Sequence, residues 1–404
     1  MNLQKFIRNQ VVFIPLFFLT VLASCSFFGE KNKVSDYIET PDYSLKSVEY
    51  VPVLPDFGIG LKTIGLCMGF DELLYAVDSA QAILAFDEAG RLLARFPLPG
   101  VEFVIQNRSL DLYALGRMDT LFNNVLYNVP VMYKISQKSA LEGGSINLNL
   151  ATARIVKKLV YPFCINEPSK LNNKFNLEAT RLSALGFLDD NSYYVTSNGP
   201  KDLAGEASIT KRNAILTFSA SDVFQGGFFE GEGLPAISPM SLTTLVQPPQ
   251  RARMESRKDF LYTSLTPDLA ISVRYMQVQV TVDGVFTNFK PLAQPAGGGG
   301  YLYQPFRFQK PQCVLFAGTN QKYIFVSDAG KDSVFAFQEN GAEGTNPPPQ
   351  YTNRKLIKVS FGGRGSGPGK FNRPAGLAWN NRVLYVADPG NRRISRYRLT
   401  SDYE

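Results

Sequence analysis

A five-residue pattern recurs along the chain and limits what it can fold into. It reads Leu74-Tyr75-Ala76-Val77-Asp78, Ile324-Phe325-Val326-Ser327-Asp328 and Leu384-Tyr385-Val386-Ala387-Asp388. Each copy is a short strand followed by a small-residue turn and a further strand: Ala82–Phe86 after the first copy, and strands ending at Phe337 and Tyr397 after the other two. Fainter copies lie at Leu112–Gly116 and Tyr193–Ser197. The faintest is Leu269–Val273, with Met276–Val282 as its hairpin partner. About six units of three or four strands, spaced roughly 40 to 80 residues apart, make a fold-scale repeat. A single such sheet cannot bury both faces, whereas six stacked radially can, so the pattern predicts an all-β, six-bladed β-propeller.

Composition agrees. The 404 residues include 30 Phe, 19 Tyr, 33 Gly and 25 Pro, a mixture that suits strands and tight turns. Charged residues make up only 19% and hydrophobic residues 45%, which supplies a packed core. Turns such as Phe86-Asp87-Glu88-Ala89-Gly90 and Phe337-Gln338-Glu339-Asn340-Gly341 end on the glycine that a short hairpin needs.

The final unit, FGGRGSGPGKFNRPAGLAWNNRVLYVADPGNRRISRYR, resembles an NHL repeat. The resemblance rests on Gly365, Gly367, Gly369, Phe371, Pro374, Gly376, Tyr385, Val386, Asp388, Asn391, Arg393 and Ile394. The Pro311 and Leu74 units match less fully, and close matching covers about a fifth of the chain. It implies an NHL-like propeller in which the Gly-rich stretch crosses between blades. The last unit stops after its third strand, near Leu399. The alternating stretch Tyr43–Leu54 is therefore expected to add the fourth strand and close the ring.

The amino terminus carries Lys5 and Arg8, then the apolar run Val11–Leu22, then Leu22-Ala23-Ser24-Cys25. Twelve apolar residues are too few to span a bilayer, which takes roughly 20. The tetrapeptide resembles a bacterial lipobox. Residues 1–24 therefore read as a lipoprotein signal peptide, Cys25 as the lipidated (palmitate-bearing) residue, 25–42 as the tether and 43–404 as the propeller. Removal of 1–24 lowers the formal net charge from +7 to +5. The expected location is the bacterial cell envelope, extracytoplasmic and membrane-anchored. Cys67, Cys164 and Cys313 remain, an odd number without a CxxC, and Cys67 and Cys313 sit in apolar strand contexts as small buried hydrophobes.

Stretches at Ser139–Leu182, Asn198–Arg212, Asp222–Lys258 and Leu292–Lys310 are long for blade turns and read as insertions on one rim, where a binding face can form.

Several chemistries are excluded. The Gly-rich stretch is not a phosphate loop, since Arg364 and Phe371 occupy the positions that need Gly and Ser or Thr. The chain has no histidine, which removes His-based triads, His proton transfer and His metal ligands. Asp78, Asp328 and Asp388 offer oxygen ligands of the kind Ca²⁺ takes. Their repetition at one turn instead favours capping of that turn, with Asn391 and Arg393 bracing it. No catalytic or metal-binding residue and no cofactor is assigned; Ca²⁺ is the one metal left open.

Between Gly362 and Leu399 eight basic residues face one acid, Asp388. Arg364, Lys370, Arg373, Arg382, Arg392, Arg396 and Arg398 form the candidate patch for an anionic partner. Arg396 falls where Ala85 and Ala336 stand in other units, and is expected to face the closing strand near Glu49 or Asp42. The reading is a lipid-anchored binding or scaffold protein for envelope proteins or glycans, with no nucleic-acid partner. The alternative is a Ca²⁺-dependent propeller enzyme of lactonase or lyase type.

Overall fold

A computed structural model describes residues 47–79, 81–122, 124–140, 146–161, 174–200, 213–229, 238–246, 257–266, 269–282, 284–292, 294, 299–317 and 322–402. The described elements belong to the compact unit Val48–Glu404; of the separate unit Met1–Ser47 only Ser47 is described. The signal peptide, Cys25 and the tether of the sequence reading lie outside the described residues, as does Cys164.

Strand β1 (Tyr50–Pro52) precedes six antiparallel four-stranded sheets that stand in a ring. Blade 1 holds β2 (Thr63–Met68), β3 (Leu74–Asp78), β4 (Ala82–Phe86) and β5 (Leu92–Pro97). Blade 2 holds β6 (Val101–Gln106), β7 (Leu112–Phe122), β8 (Val125–Ser136) and, after a small hairpin of β9 (Lys138–Ala140) and β10 (Ile146–Leu148), β11 (Arg154–Val160). Blade 3 holds β12 (Arg181–Phe187), β13 (Tyr193–Asn198), β14 (Ala214–Phe218) and β15 (Phe224–Phe229). Blade 4 holds β16 (Pro239–Thr244), β17 (Phe260–Ser264), β18 (Val273–Thr281) and β19 (Gly284–Phe289). Blade 5 holds β20 (Pro311–Ala317), β21 (Tyr323–Asp328), β22 (Ser333–Gln338) and β23 (Phe361–Gly362). Blade 6 holds β24 (Leu377–Asn380), β25 (Val383–Asp388), β26 (Arg393–Leu399) and β1. The first strand of every blade touches the first strand of both neighbours, which places these strands innermost. The chain is thus a six-bladed β-propeller, as the repeat predicts.

The recurring pentad builds the core by simple alternation, because successive side chains of a strand point to opposite faces. In β3, Leu74 and Ala76 join an apolar cluster with blade 6, while Tyr75 and Val77 join one with blade 2. In β25, Leu384 and Val386 pack toward blade 5, and Tyr385 and Ala387 toward blade 1. One apolar cluster fills each of the six blade interfaces. Each blade therefore buries both faces, which an isolated sheet cannot do.

Gly376, part of the NHL-like motif, has a packing reason. A Cβ at this position would lie 2.6 Å from the backbone nitrogen of Leu66, so only glycine lets blades 6 and 1 approach this closely. The Gly376 N–H donates to the Ile64 carbonyl across that junction.

The ring closes through β1, whose pairs with β26 are Tyr50↔Leu399, Val51↔Arg398 and Pro52↔Tyr397. Pairing resumes beyond a break, where Phe57 and Ile394 exchange two backbone hydrogen bonds of 2.8 Å. The strand itself is shorter than the expected Tyr43–Leu54, and residues up to 46 lie outside the described ones.

Two expectations are corrected. The faintest unit lies one strand earlier than its pattern suggests: Leu269–Ser272 forms no strand, and the second strand of blade 4 is β17. The stretches read as insertions also contain blade strands, namely β11 in 139–182 and both β15 and β16 in 222–258. Nor do they share one rim, because they leave from both ends of the strands. The antiparallel order gives the ring two faces. The turn after each second strand and the crossing to the next blade lie on one, here the crossing face. The turns after the first and third strands lie on the other, the entry face, where the chain joins the ring at Tyr50 opposite Leu399.

Candidate functional site

The three repeated aspartates each end a second strand on the crossing face. Asp388 is fully buried. One oxygen accepts the Asn372 N–H at 2.8 Å, and the other accepts from Asn391 Nδ2 at 2.7 Å and Arg393 Nε at 3.2 Å. Asp328, equally buried, accepts four backbone N–H groups, from Gln309, Lys310, Gly330 and Lys331, at 2.8–3.2 Å. Both carboxylates fasten the chain arriving from the preceding blade to the turn beneath it. Asp78 differs: its side chain meets Arg95 at 3.5 Å near the surface. Burial, offset by these hydrogen bonds, leaves the Asp388 carboxyl above the ordinary carboxylate range.

This arrangement does not fit a shared Ca²⁺. The three carboxylates stand on separate blades, and those of Asp328 and Asp388 are surrounded by N–H donors rather than by further oxygen ligands.

Arg393 is the hub of the last turn. Its guanidinium reaches Asp56 and Asp388, each at 3.2 Å, and donates to the carbonyls of Gly367 and Lys370. Asn391 also donates to the Gly365 carbonyl at 2.8 Å. The Gly-rich crossing 363–373 is thereby folded over the turn, and its own basic side chains are left outside.

The sequence patch divides between the two faces. Arg364, Lys370, Arg373 and Arg392 are exposed on the crossing face, around the turn that Arg393 organises. Among the described residues, none of the four forms an ion pair. Arg382 sits at the other end of β25, on the entry face, where it meets Asp402 at 3.8 Å, and Arg398 donates to the Asp402 carbonyl. Strand β25 alone separates the two sets by about 20 Å. Arg396 is buried: it stacks 4.1 Å over the Phe57 ring and donates twice to the Pro55 carbonyl. It does face the closing segment, but by way of Pro55 and Phe57; Asp42 lies outside the described residues.

Sequence reading missed a further buried carboxylate. Asp222, in the turn between β14 and β15, accepts from the Tyr113 hydroxyl at 2.7 Å and the Tyr193 hydroxyl at 3.1 Å. Lys157 and Lys134 lie 3.2 and 3.7 Å away. Four of its partners come from two blades, so the group clamps blade 2 to blade 3. Burial first, and Asp222 beside them, push both phenols well above their usual range, so neither supplies a phenolate near neutral pH. An acid in a Ser-Ala-Ser-Asp turn carries no signal of such burial.

No protein-family model matches the chain, and no curated protein matches it. Solved structures do. One is an auxiliary nutrient binding protein from Bacteroides thetaiotaomicron, with 10% identity over 87% of this chain and 72% of that one at a TM-score of 0.49. Another is virginiamycin B lyase from Staphylococcus aureus, with 10% identity over 87% and 99% and a TM-score of 0.41. These likenesses concern the propeller fold alone.

Proposed function

We propose that the chain is an NHL-type propeller lipoprotein, held on an envelope membrane by lipidated Cys25, that binds an acidic envelope protein or glycan at its crossing face. One observation carries this reading. Arg364, Lys370, Arg373 and Arg392 are exposed together there, while the repeated acids beneath them, Asp328 and Asp388, are turned inward and hydrogen-bonded. Asp332, in the same turn as Asp328, is partly exposed and accepts the Arg373 backbone N–H at 2.6 Å. The four basic side chains outnumber it, so such a surface attracts anions. A calcium-dependent enzyme would need convergent oxygen ligands, and the repeated aspartates do not converge.

The test is charge reversal of all four residues to Glu in the full chain, followed by crosslinked pull-down from intact envelopes. The wild type should recover a partner that the variant loses, in a salt-dependent manner. Equal recovery by both proteins, or none by the wild type, would overturn the reading. In parallel, millimolar Ca²⁺ should leave the melting temperature unchanged; a rise would favour the enzyme.

A further inference from the structure

Blade 4 carries an arm that the ring does not use. Strand β17 last pairs with β18 at Phe260↔Met276. Beyond it β18 and β19 continue alone as a two-stranded ribbon through five more pairs, from Gln277↔Asn288 to Thr281↔Gly284. At roughly 3.4 Å per residue the ribbon overhangs by about 17 Å. Its root is fixed by Asp259, which accepts the Val278 N–H at 3.0 Å, and by Phe289, stacked 4.4 Å from Tyr303.

The chemistry of this ribbon is unusual for one facing water. Exposed edge strands ordinarily carry charges that discourage association. Here Asp283 is the only charged residue between Arg274 and Lys290. By alternation Val278, Val280 and Val282 share one side with Val285 and Thr287, and Phe286 lies on the other near the tip. Val282 is fully exposed, Val280 is 61% exposed, and Val285 and Phe286 are each 50% exposed. Exposure of the apolar side chains therefore rises toward the end that extends farthest from the ring, where the turn also carries Asp283.

The position of the tip selects its occupant. The turn between β18 and β19 follows a third strand, so it projects from the entry face, the face at which the polypeptide joins the ring from its amino-terminal side. We propose that the arm dips into the lipid surface to which Cys25 is attached and holds the entry face toward the membrane. This rests on the lipid-anchor reading above. A tether of about twenty residues reaches ~70 Å when extended, so it brings the domain to the bilayer without fixing its orientation. Side chains such as Val and Phe at a tip can enter the interfacial layer by about 5–10 Å, which matches the last few residues of the ribbon. The basic crossing face is then turned away from the lipid, toward its partner. A protein partner that paired with the β19 edge would use the backbone and would not call for valines at the tip.

The chain has a single tryptophan, Trp379, so an added one can be read against it. V282W and, on the crossing face, L121W are placed in the full chain and incorporated into phosphatidylcholine vesicles with brominated acyl chains. V282W should lose most of its added emission and L121W should keep it. Retention by V282W, or equal loss by both, overturns the proposal, as does a V282W tip that lipid leaves unquenched and a crosslinked protein shields from acrylamide. Flotation separates the two readings: the unsubstituted chain should float with vesicles and C25A should not. If neither floats, the anchor reading fails. The arm is then read by holding V282W to nickel-chelating lipid through an added amino-terminal hexahistidine, unambiguous because the chain has no histidine. An unquenched tip there sinks the arm independently.

Discussion

The Asp388 carboxylate accepts the backbone N–H of Asn372 at 2.8 Å, and so ties the last inter-blade crossing to the turn it passes over. An amide in its place keeps one acceptor but turns a donor toward Asn391 and Arg393. D388N is expected to cost about 2–3 kcal/mol in urea denaturation, as for a charged hydrogen-bonding group lost from a buried site. Among the described residues the Asp78 carboxylate meets a half-exposed arginine, and D78N should cost under about 1 kcal/mol. Equal losses would show that the two aspartates do the same work.

The same carboxyl gives a pH signature. Burial outweighs the hydrogen bonds from Asn372, Asn391 and Arg393, and the group stands above its ordinary range in the folded chain. The native state thus holds this proton more tightly than the unfolded chain. Its contribution to stability is complete below about pH 4, the unfolded value, and is lost as pH rises through the native one. D388N lacks this titration, so the stability gap between it and the wild type should be wider at pH 4 than at pH 7. Urea midpoints at both values check the sign.

Closure of the ring depends on Phe57 as well as on β1. Phe57 is 2% exposed, packs near Phe86 and Tyr385, and carries the Arg396 guanidinium on its face. Phe57→Ala should cost about 3–5 kcal/mol. R396A should cost less, and the double substitution should fall short of the sum, since the two side chains are in contact. A thermodynamic cycle from denaturation curves measures that coupling; strict additivity would rule the contact out as a stabilising pair.

Burial pushes the Cys67 thiol up to about 12 and moves Cys313 upward as well. Both are free. Thiolate is the reactive form, so iodoacetamide at pH 8 should leave Cys67 unlabelled in the folded protein and label it in urea. Cys313, less deeply placed, should also be protected, though more weakly. Peptide mass mapping resolves the two sites.

Much of the ring was legible because its second strands are buried on both sides. Leu-Tyr-Val-Ala-Asp at 384–388 must satisfy two neighbours at once, and that demand narrows its residue types. Outer strands face water and lose the signal: Arg-Ile-Val-Lys-Lys-Leu-Val of β11 and Phe-Gln-Gly-Gly-Phe-Phe of β15 fall inside stretches that read as insertions. Strand β17, Phe-Leu-Tyr-Thr-Ser, lacks the terminal Asp of the clear copies, yet it shares Thr-Ser with Tyr193-Tyr194-Val195-Thr196-Ser197, the cue that could have found it. The basic patch was legible as composition but not as a surface. Neighbours in sequence at the two ends of β25 belong to opposite faces, and only the strand direction separates Arg392 from Arg382.

Because β1 completes blade 6, residues near the start of the chain pair with its last ordered strand; Glu49 donates its backbone N–H to Thr400 across 351 positions. During synthesis the ribosome releases Tyr50 long before Leu399 exists. The first strand therefore waits, unpaired, until the third strand of blade 6 has been made. Every nascent chain cut short, whether by a stalled ribosome or a premature stop codon, ends as an open arc with a bare edge on blade 6 or on an earlier one. Translation through β26 is thus written into the architecture as a condition for closing it.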